Sequence, residues 1–374
     1  MKKQMEGELS HGFKPITIRG GGRSYDVMVG PNQLETVGST IAKLLSGPRC
    51  AIISDTNVGP LFADRVKQSL TSSGFQSALF IIPAGEESKT LGQAGQICER
   101  MIAAGLGRNS FVVGLGGGIV GDLSGFVAAI FERGIPHVQV PTTLLAMVDS
   151  SIGGKTGVNA SAGKNLIGAF HQPMLVIDDV DVLRTLPPRE LNQGFAEVIK
   201  HAIIADGEMF EKLAHLSKLR GNEDPSRKLA PLIRRNIEIK SKIVAGDELD
   251  REGKRALLNF GHTVGHAIER AANYSDFLHG EAISLGIVAA CAVSTKKAGL
   301  PRDQRDAIVD LLRTFELPTR LPENFLRQKI LDALRFDKKF DGGTIRFVVT
   351  PEIGSAYLSS DVRMDDIHEA VDEL

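Results

Sequence analysis

Three histidines and a glutamate crowd into one polar stretch. NFGHTVGH sets His262 and His266 four residues apart, and HGE adds His279 and Glu281. On a helix the first two stack on one face, a turn apart. Upstream, GFAEVIKH sets Glu197, Lys200 and His201 at spacings of three and four. A divalent metal site draws three or four nitrogen and oxygen ligands from elements that converge, and these residues are such a supply. A single histidine is more often a satisfied polar side chain, but five of the nine histidines fall between His201 and His279. Two arrangements stay open. Either His262 and His266 both bind zinc, as in H-E-x-x-H helices, or one binds while the other moves protons near neutral pH. HTVGH lacks the adjoining glutamate, which makes a zinc protease a poor reading.

A second chemistry-bearing segment, SFVVGLGGGIVGDLSGFVAAIF, reads as strand, glycine turn and helix. Gly116, Gly118 and Gly121 fit G-x-G-x-x-G, which lets backbone approach a pyrophosphate at a helix N-terminus. The match departs from the usual dinucleotide pattern. The turn follows about the third parallel strand, and no acid lies ~20 residues onward. Asp55, ending the first parallel strand, is the candidate for a ribose hydroxyl, and AGEESK (84–89) can support the adenosine half. Nicotinamide dinucleotide is the expected cofactor.

From Asp149 to Pro173 the chain shows no hydrophobic period and reads as a long glycine-rich loop carrying Lys155, Asn159, Lys164 and Asn165. Such composition alone describes a solvated loop. Beside a nucleotide turn and a metal cluster, its lysines suit a phosphate or carboxylate as point charges. Arg133, in FERGIP, and Arg255, before ALLNFGH, are further anion-site candidates, with plain surface charge as the alternative.

Two kinds of element must position these residues. The first half alternates apolar runs with helical patterns, as βαβ units do. ITIRGGGRSYDVMVG reads as two strands around a turn, and CAIISDT, ALFIIP, SFVVGL, HVQVPTT and MLVIDD as buried parallel strands. From about Leu186 helical periodicity dominates, in PRELNQGFAEVIKHAII, RKLAPLIRRNIEIKSKIVA, KRALLNFGHTVGHAIERA and GEAISLGIVAACAVSTKKAG. TIRFVVT is a late strand. The expectation is a Rossmann-like α/β parallel-sheet domain over 1–185 and a mainly helical metal-binding domain over 186–374. A chain of 374 residues suits two domains. A net charge of −1 gives no reason to expect nucleic acid or an anionic membrane. No apolar run is long enough to span a bilayer. Three widely spaced cysteines fit neither a disulfide framework nor a cysteine zinc site, and with no secretory signal a cytoplasmic protein is expected.

GGGIVGD, RGIPHVQVPTTLLAMVDSSIGGKTGVN, GKNLIGAFHQP, TLPPRE, GFAEVIKH, LLNFGHTVGHAIE and LHGEA, in this order, resemble 3-dehydroquinate synthase, a sugar-phosphate cyclase of the shikimate pathway. The resemblance is dense from about Gly114 to Gly286. It implies a lyase with an NAD-binding α/β domain, a helical domain and the active site between them. Its metal ligands fall on Glu197, His262 and His279, holding zinc, with cobalt as the alternative metal, and His266 becomes the proton carrier. Lys155, Lys164, Asn165, Lys200, Asn259 and Arg255 match positions that hold the substrate's hydroxyls, carboxylate and phosphate, and Lys240 matches a further substrate lysine. The cofactor set becomes Asp55, Glu86, Lys89, Gly116, Gly117, Gly118, Gly121, Asp122, Thr142, Thr143, Asp149, Lys155, Lys164 and Thr185. Arg133 matches an arginine donated across a homodimer. Glu248 and Glu252 are alternatives for an active-site glutamate, and Lys338 and Lys339 for a late lysine. The implied reaction turns 3-deoxy-D-arabino-heptulosonate 7-phosphate into 3-dehydroquinate and phosphate, by oxidation at C5, phosphate elimination, re-reduction and aldol closure. The rivals are a related cyclase of secondary metabolism and an NAD- and metal-dependent polyol dehydrogenase.

Overall fold

The computed structural model describes residues 14–20, 23–218, 225–245, 253–272, 276–335 and 345–374. Glu248, Glu252, Lys338 and Lys339 lie outside them. The chain divides into two compact units, one within Met1–Leu186 and Asp224–Ser241, the other within Pro187–Glu223 and Lys242–Leu374. The expected boundary at 185/186 coincides within a residue with the end of the first stretch, and Asp224–Ser241 group with the first unit as well.

In the first unit the strands are β1 (Ile16–Gly20), β2 (Arg23–Gly30), β3 (Arg49–Asp55), β4 (Gln76–Ile82), β5 (Phe111–Gly116), β6 (His137–Pro141), β7 (Lys155–Ala160), β8 (Gly163–Phe170) and β9 (Leu175–Asp179). Helices α1 (Gly59–Ser72), α2 (Leu91–Ala103) and α3 (Gly118–Ile130) alternate with them. One seven-stranded sheet has the order β1-β2-β9-β6-β5-β3-β4, with β1 antiparallel to β2 and the other pairs parallel. Strands β5, β6 and β9 are buried along their whole length. Both faces of a parallel sheet are covered, which is why these runs read as continuous apolar stretches rather than alternating ones.

The chain leaves β3 for β4 on one side, then passes to β5 on the other side of β3 and on to β6 and β9. The winding therefore reverses between β3 and β5, the switch point where open α/β sheets take ligands at their carboxyl ends. Asp55 ends β3 and Gly116 ends β5. This order accounts for the departure seen in the sequence: the glycine turn follows the third parallel strand because that strand flanks the switch point.

The segment from Asp149 to Pro173 is not a long loop. Ala146–Ser150 forms a π-helical turn, and β7 and β8 then pair as an antiparallel hairpin. Gly157 faces Gly168, where an added Cβ would meet Ile167 O at 2.7 Å or Thr156 O at 2.2 Å. Val158 is fully buried in the cluster that joins β3, β5, α2 and α3. Glycine and lysine content hid a hairpin whose close contact demands the glycines.

The second unit carries α4 (Pro188–Ala205), α5 (Gly207–Lys218), α7 (His262–Ala271), α8 (His279–Lys297), α9 (Arg302–Thr314), α10 (Arg327–Arg335) and α11 (Met364–Asp372). Helix α6 (Pro225–Ala245) contributes its residues to Ser241 to the first unit. Strands β10 (Phe347–Glu352) and β11 (Ser355–Ser359) form a hairpin, of which the sequence reading had only the first strand. Helix α8 is apolar nearly all round and buried, packed by α4, α7, α9, α11 and β10. KRALLNFGHTVGHAIERA is not one helix. A 3-10 turn over Lys254–Asn259 ends, Gly261 takes φ 77°, and α7 starts afresh at His262. Among the described residues no helix is long and apolar enough to cross a membrane.

Candidate functional site

At the switch point the glycines are tight by packing. A Cβ on Gly116 would lie 2.6 Å from Val120 Cγ2, and one on Gly117 3.2 Å from Thr143 Cγ2. On Gly118 it would meet Ser150 Oγ at 3.1 Å and on Gly121 Gln139 Oε1 at 3.0 Å. Gln139 Nε2 also donates to Gly121 O at 3.0 Å, so the last glycine seats α3 on β6. Thr142 N donates to Gly116 O, tying the ends of β5 and β6. Thr142 Oγ1 and Ser151 Oγ are buried and have no hydrogen-bond partner among the described residues. Burying a hydroxyl without a partner costs ~1–3 kcal/mol. Orphaned donors beside a glycine turn that opens a helix are the features a nucleotide's phosphates and ribose fit. Asp55 Oδ1 accepts from the N–H groups of Asn57 and Val58, both at 2.8 Å, and so starts the turn into α1. Thr143 Oγ1 accepts from Ala146 N at 3.1 Å, and Thr185 Oγ1 donates to Val182 O at 2.9 Å.

Three of the expected cofactor and substrate lysines of this unit meet carboxylates. Buried Lys89 donates to Asp122 Oδ2 and Asn165 Oδ1, each at 2.5 Å. Burial pushes the Asp122 carboxyl up from its ordinary value while the Lys89 charge opposes that. Glu86 accepts from Asn159 Nδ2 at 2.8 Å and lies 3.6 Å from Lys164 Nζ. Lys240, on α6, donates to Asp149 O at 2.6 Å and Oδ1 at 2.5 Å. Lys155 is exposed at the start of β7. Arg133 is exposed too, and it follows Glu132 in a left-handed turn, with φ 68° and 50°.

In the second unit, Glu197 from α4, His262 from α7 and His279 from α8 bring one ligand atom each within 4.8 Å of the others. Glu197 Oε1 is 3.4 Å from His262 Nε2 and 3.8 Å from His279 Nε2. Ligands of tetrahedral zinc, bound at ~2.0–2.1 Å, stand about 3.3 Å apart. Glu197 is fully buried, and its Oε1 has no hydrogen-bond partner among the described residues, whereas Oε2 accepts from buried Lys200. The remaining nitrogens of both imidazoles are engaged. His262 Nδ1 lies 3.2 Å from Phe260 O and His279 Nδ1 3.3 Å from Glu269 Oε1, acceptors that hold the proton on Nδ1 and leave Nε2 its lone pair. Burial holds His262 well below the usual imidazole range, with the Lys200 charge acting in the same direction. A buried lone oxygen facing two nitrogens with free lone pairs is a donor set that fits a zinc-like cation.

His266, a turn after His262 on α7, is half-exposed; its ring meets the His262 ring edge-on at 5.1 Å and lies 6.1 Å from that of His279. It is grouped with Glu269 and His279 rather than with Glu197. His262 and His266 thus fall into different donor sets, which share His279. Glu281 is engaged elsewhere: it caps α8 by accepting from Leu278 N and holds Arg189 through both oxygens. Arg255 is buried and Asn259 half-buried in the turn before α7.

Glycines set the spacing of the three helices that carry Glu197, His262 and His279. A Cβ on Gly280 would lie 2.0 Å from Gln193 O, and one on Gly286 2.0 Å from Gly261 O. Helix α8 thus touches α4 and α7 backbone to backbone, with His279 beside Gly280, His262 beside Gly261 and Glu197 a turn beyond Gln193. The sequence reading missed these glycines, the Phe260 carbonyl and Glu269. A signal for Glu269 was present: HAIE puts an acid among apolar positions three residues after His266.

Two family models match, 3-dehydroquinate synthase N-terminal over residues 79–193 and 3-dehydroquinate synthase C-terminal over 194–340. A 3-dehydroquinate synthase from Desulforamulus reducens is 43% identical over 94% of this chain and 98% of its own length. One from Thermodesulfovibrio yellowstonii is 40% identical over 96% and 100%. Among solved structures, a 2-deoxy-scyllo-inosose synthase complexed with carbaglucose-6-phosphate, NAD+ and Co2+ aligns with a TM-score of 0.86 at 27% identity, covering 96% of this chain and 99% of that one. A 2-epi-5-epi-valiolone synthase from Streptomyces hygroscopicus with NAD+ and Zn2+ aligns with a TM-score of 0.84 at 27% identity and the same coverage. Glycerol dehydrogenase from Schizosaccharomyces pombe, at 14% identity, TM-score 0.62 and coverage of 92% and 87%, shares the fold alone.

Proposed function

This chain belongs to the 3-dehydroquinate synthase family, and from that premise we propose that it converts 3-deoxy-D-arabino-heptulosonate 7-phosphate to 3-dehydroquinate and phosphate with catalytic NAD and one divalent metal. The observation that carries the metal reading is the unpartnered Glu197 Oε1 between the two Nε2 atoms. When bound, the metal supplies Lewis acidity at a substrate hydroxyl and the dinucleotide takes up and returns a hydride. Glu197, His262 and His279 hold the metal. His266, exposed and one turn away, is the group able to carry protons to and from substrate. The turn Gly116–Gly118 with Gly121, and the hydroxyls of Thr142 and Thr143, cradle the dinucleotide, with Asp55 at its ribose and Glu86, Lys89, Asp122, Asp149 and Thr185 shaping the pocket. Lys155, Lys164, Asn165, Lys200, Lys240, Arg255 and Asn259 bind and orient the two anionic ends of one flexible substrate, lowering the entropic part of the barrier.

Purified protein given the heptulosonate phosphate releases phosphate with only trace NAD. Stoichiometric NADH without phosphate would instead indicate a polyol dehydrogenase, and preference for sedoheptulose 7-phosphate or glucose 6-phosphate a different cyclase. The exposed, left-handed Arg133 turn supports a homodimer in which Arg133 reaches the neighbouring copy. A monomer by light scattering at assay concentration overturns that part. Three free cysteines support a cytoplasmic location, which cell fractionation tests.

A further inference from the structure

Glu269 is 4% exposed on α7. Taking a carboxylate out of water costs several kcal/mol unless partners compensate, and two histidines are among the partners of Glu269, which is buried on the same helix as Val264, Ala267 and Ile268. Its two oxygens face two different histidines: Oε1 lies 3.3 Å from His279 Nδ1, and Oε2 lies 4.0 Å from His266 Nε2. His262 and His279 differ in how firmly the fold itself holds them. His262 is buried and its Nδ1 is fixed by the Phe260 carbonyl. His279 is the first residue of α8 with a side chain 29% exposed, so packing alone leaves its ring freer to turn. The imidazole in greater need of an orienting acceptor is the one given a carboxylate.

Glu269 also belongs to a second donor set, with His266 and His279. The two sets share His279, and its Nδ1 cannot both donate to Glu269 and bind a cation beside it. Glu197 Oε1 is buried with no hydrogen-bond partner among the described residues, whereas the other set includes half-exposed His266 at 4.0 Å. We propose that Glu269 is a positioning residue that fixes the tautomer and ring orientation of His279 for the metal held by Glu197, His262 and His279, and is not itself a ligand. The inference rests on that metal reading.

The test is metal affinity of the full chain, stripped of metal and titrated with Zn2+ against a competing chelator, with the visible spectrum of the Co2+ form as a geometric readout. Glu269→Gln, which still accepts the Nδ1 proton but without charge, binds one metal per chain about 10-fold more weakly; Glu269→Met, whose thioether is only a weak acceptor, falls about 100-fold. At saturation both keep the wild-type Co2+ absorption. Unchanged affinity in both variants overturns the proposal, and so does loss of stoichiometric binding at saturation, the mark of a ligand. If Glu269→Met does not fold, as far-UV circular dichroism of the metal-free chain reports, the isosteric Glu269→Gln decides alone. Glu197→Ala separates the two readings. If it keeps wild-type affinity, the metal assignment itself fails; if it loses the metal while both Glu269 variants are unchanged, only the role of Glu269 fails.

Discussion

Gly280→Ala tests whether backbone contact between α8 and α4 sets the metal geometry. The added Cβ would start 2.0 Å from Gln193 O, and real Cβ contacts are not found below 3.0 Å. The obstacle is a backbone carbonyl, so the start of α8 has to move by about 1 Å relative to α4. Overpacking of this kind costs ~1–3 kcal/mol, and replacing a helical glycine by alanine returns up to ~1 kcal/mol. The net loss of stability is thus about 0–3 kcal/mol. The effect on metal is larger, because a preorganised site tolerates displacements of only ~0.5 Å and Glu197 and His279 lie on the two helices being parted. Zinc affinity should fall at least as far as when a supporting residue is removed, ~10–100-fold, measured by chelator competition beside thermal unfolding of the metal-free chain. Gly95→Ala is the control. It lies exposed within α2, nothing stands within 4 Å of its added Cβ, and the same substitution should stabilise by ~0.5–1 kcal/mol with metal affinity unchanged. Wild-type zinc affinity in Gly280→Ala refutes the reasoning, whatever its stability.

Lys200→Met removes the cation facing Glu197 when both side chains are buried. Without metal the stranded carboxylate costs ~3–5 kcal/mol; zinc supplies a replacement charge, so the loss in melting temperature should shrink in the zinc-loaded protein, and equal losses with and without zinc count against Glu197 as a ligand. His137 governs part of the acid response of the first unit. Burial, reinforced by the charge of His171 stacked at 4.9 Å, lowers its pKa from 6.5 to about 3. The unfolded chain takes up a proton near 6.5 that the folded state refuses until about 3. The stability is therefore present above 6.5 and lost as pH falls through that window, by up to ~1.4 kcal/mol per pH unit. Urea unfolding of His137→Leu at pH 7, 6 and 5 should show a shallower decline than wild type, and parallel declines refute the assignment.

The strands were legible because parallel strands buried on both faces must be apolar throughout, as in SFVVGL and HVQVP. Their order was not. Nothing in CAIISDT says that β5 will lie on the side of β3 away from β4, and only that order explains why Asp55 and Gly116 end neighbouring strands. The β7–β8 hairpin escaped for the opposite reason. Gly157 and Gly168 are required by the close strand contact, yet glycine in sequence reads as a loop. Gly261 shows the same ambiguity at the metal site, where periodicity ran through a residue whose positive φ ends one helical turn and begins another.

The donor types of the site were legible, and their pairing was not. Lys164 read as a cation suited to an anionic ligand, the family resemblance added Lys200 and Lys240 as substrate lysines, and Lys89 was expected at the cofactor. Within their own units each faces an acid: Asp122, Glu86, Glu197 and Asp149. An ammonium as buried as Lys89, Lys200 or Lys240 is not tolerated without a counter-charge, so folding has to provide one before any substrate arrives. Only the Lys200–Glu197 pair, at i,i+3 on one helix, could be seen from spacing; the others join residues far apart in the chain. The consequence for function is a competition. A substrate phosphate or carboxylate that recruits one of these lysines must share or displace its carboxylate, so removing an acid such as Glu86 should tighten binding of the anionic end while loosening the fold around it.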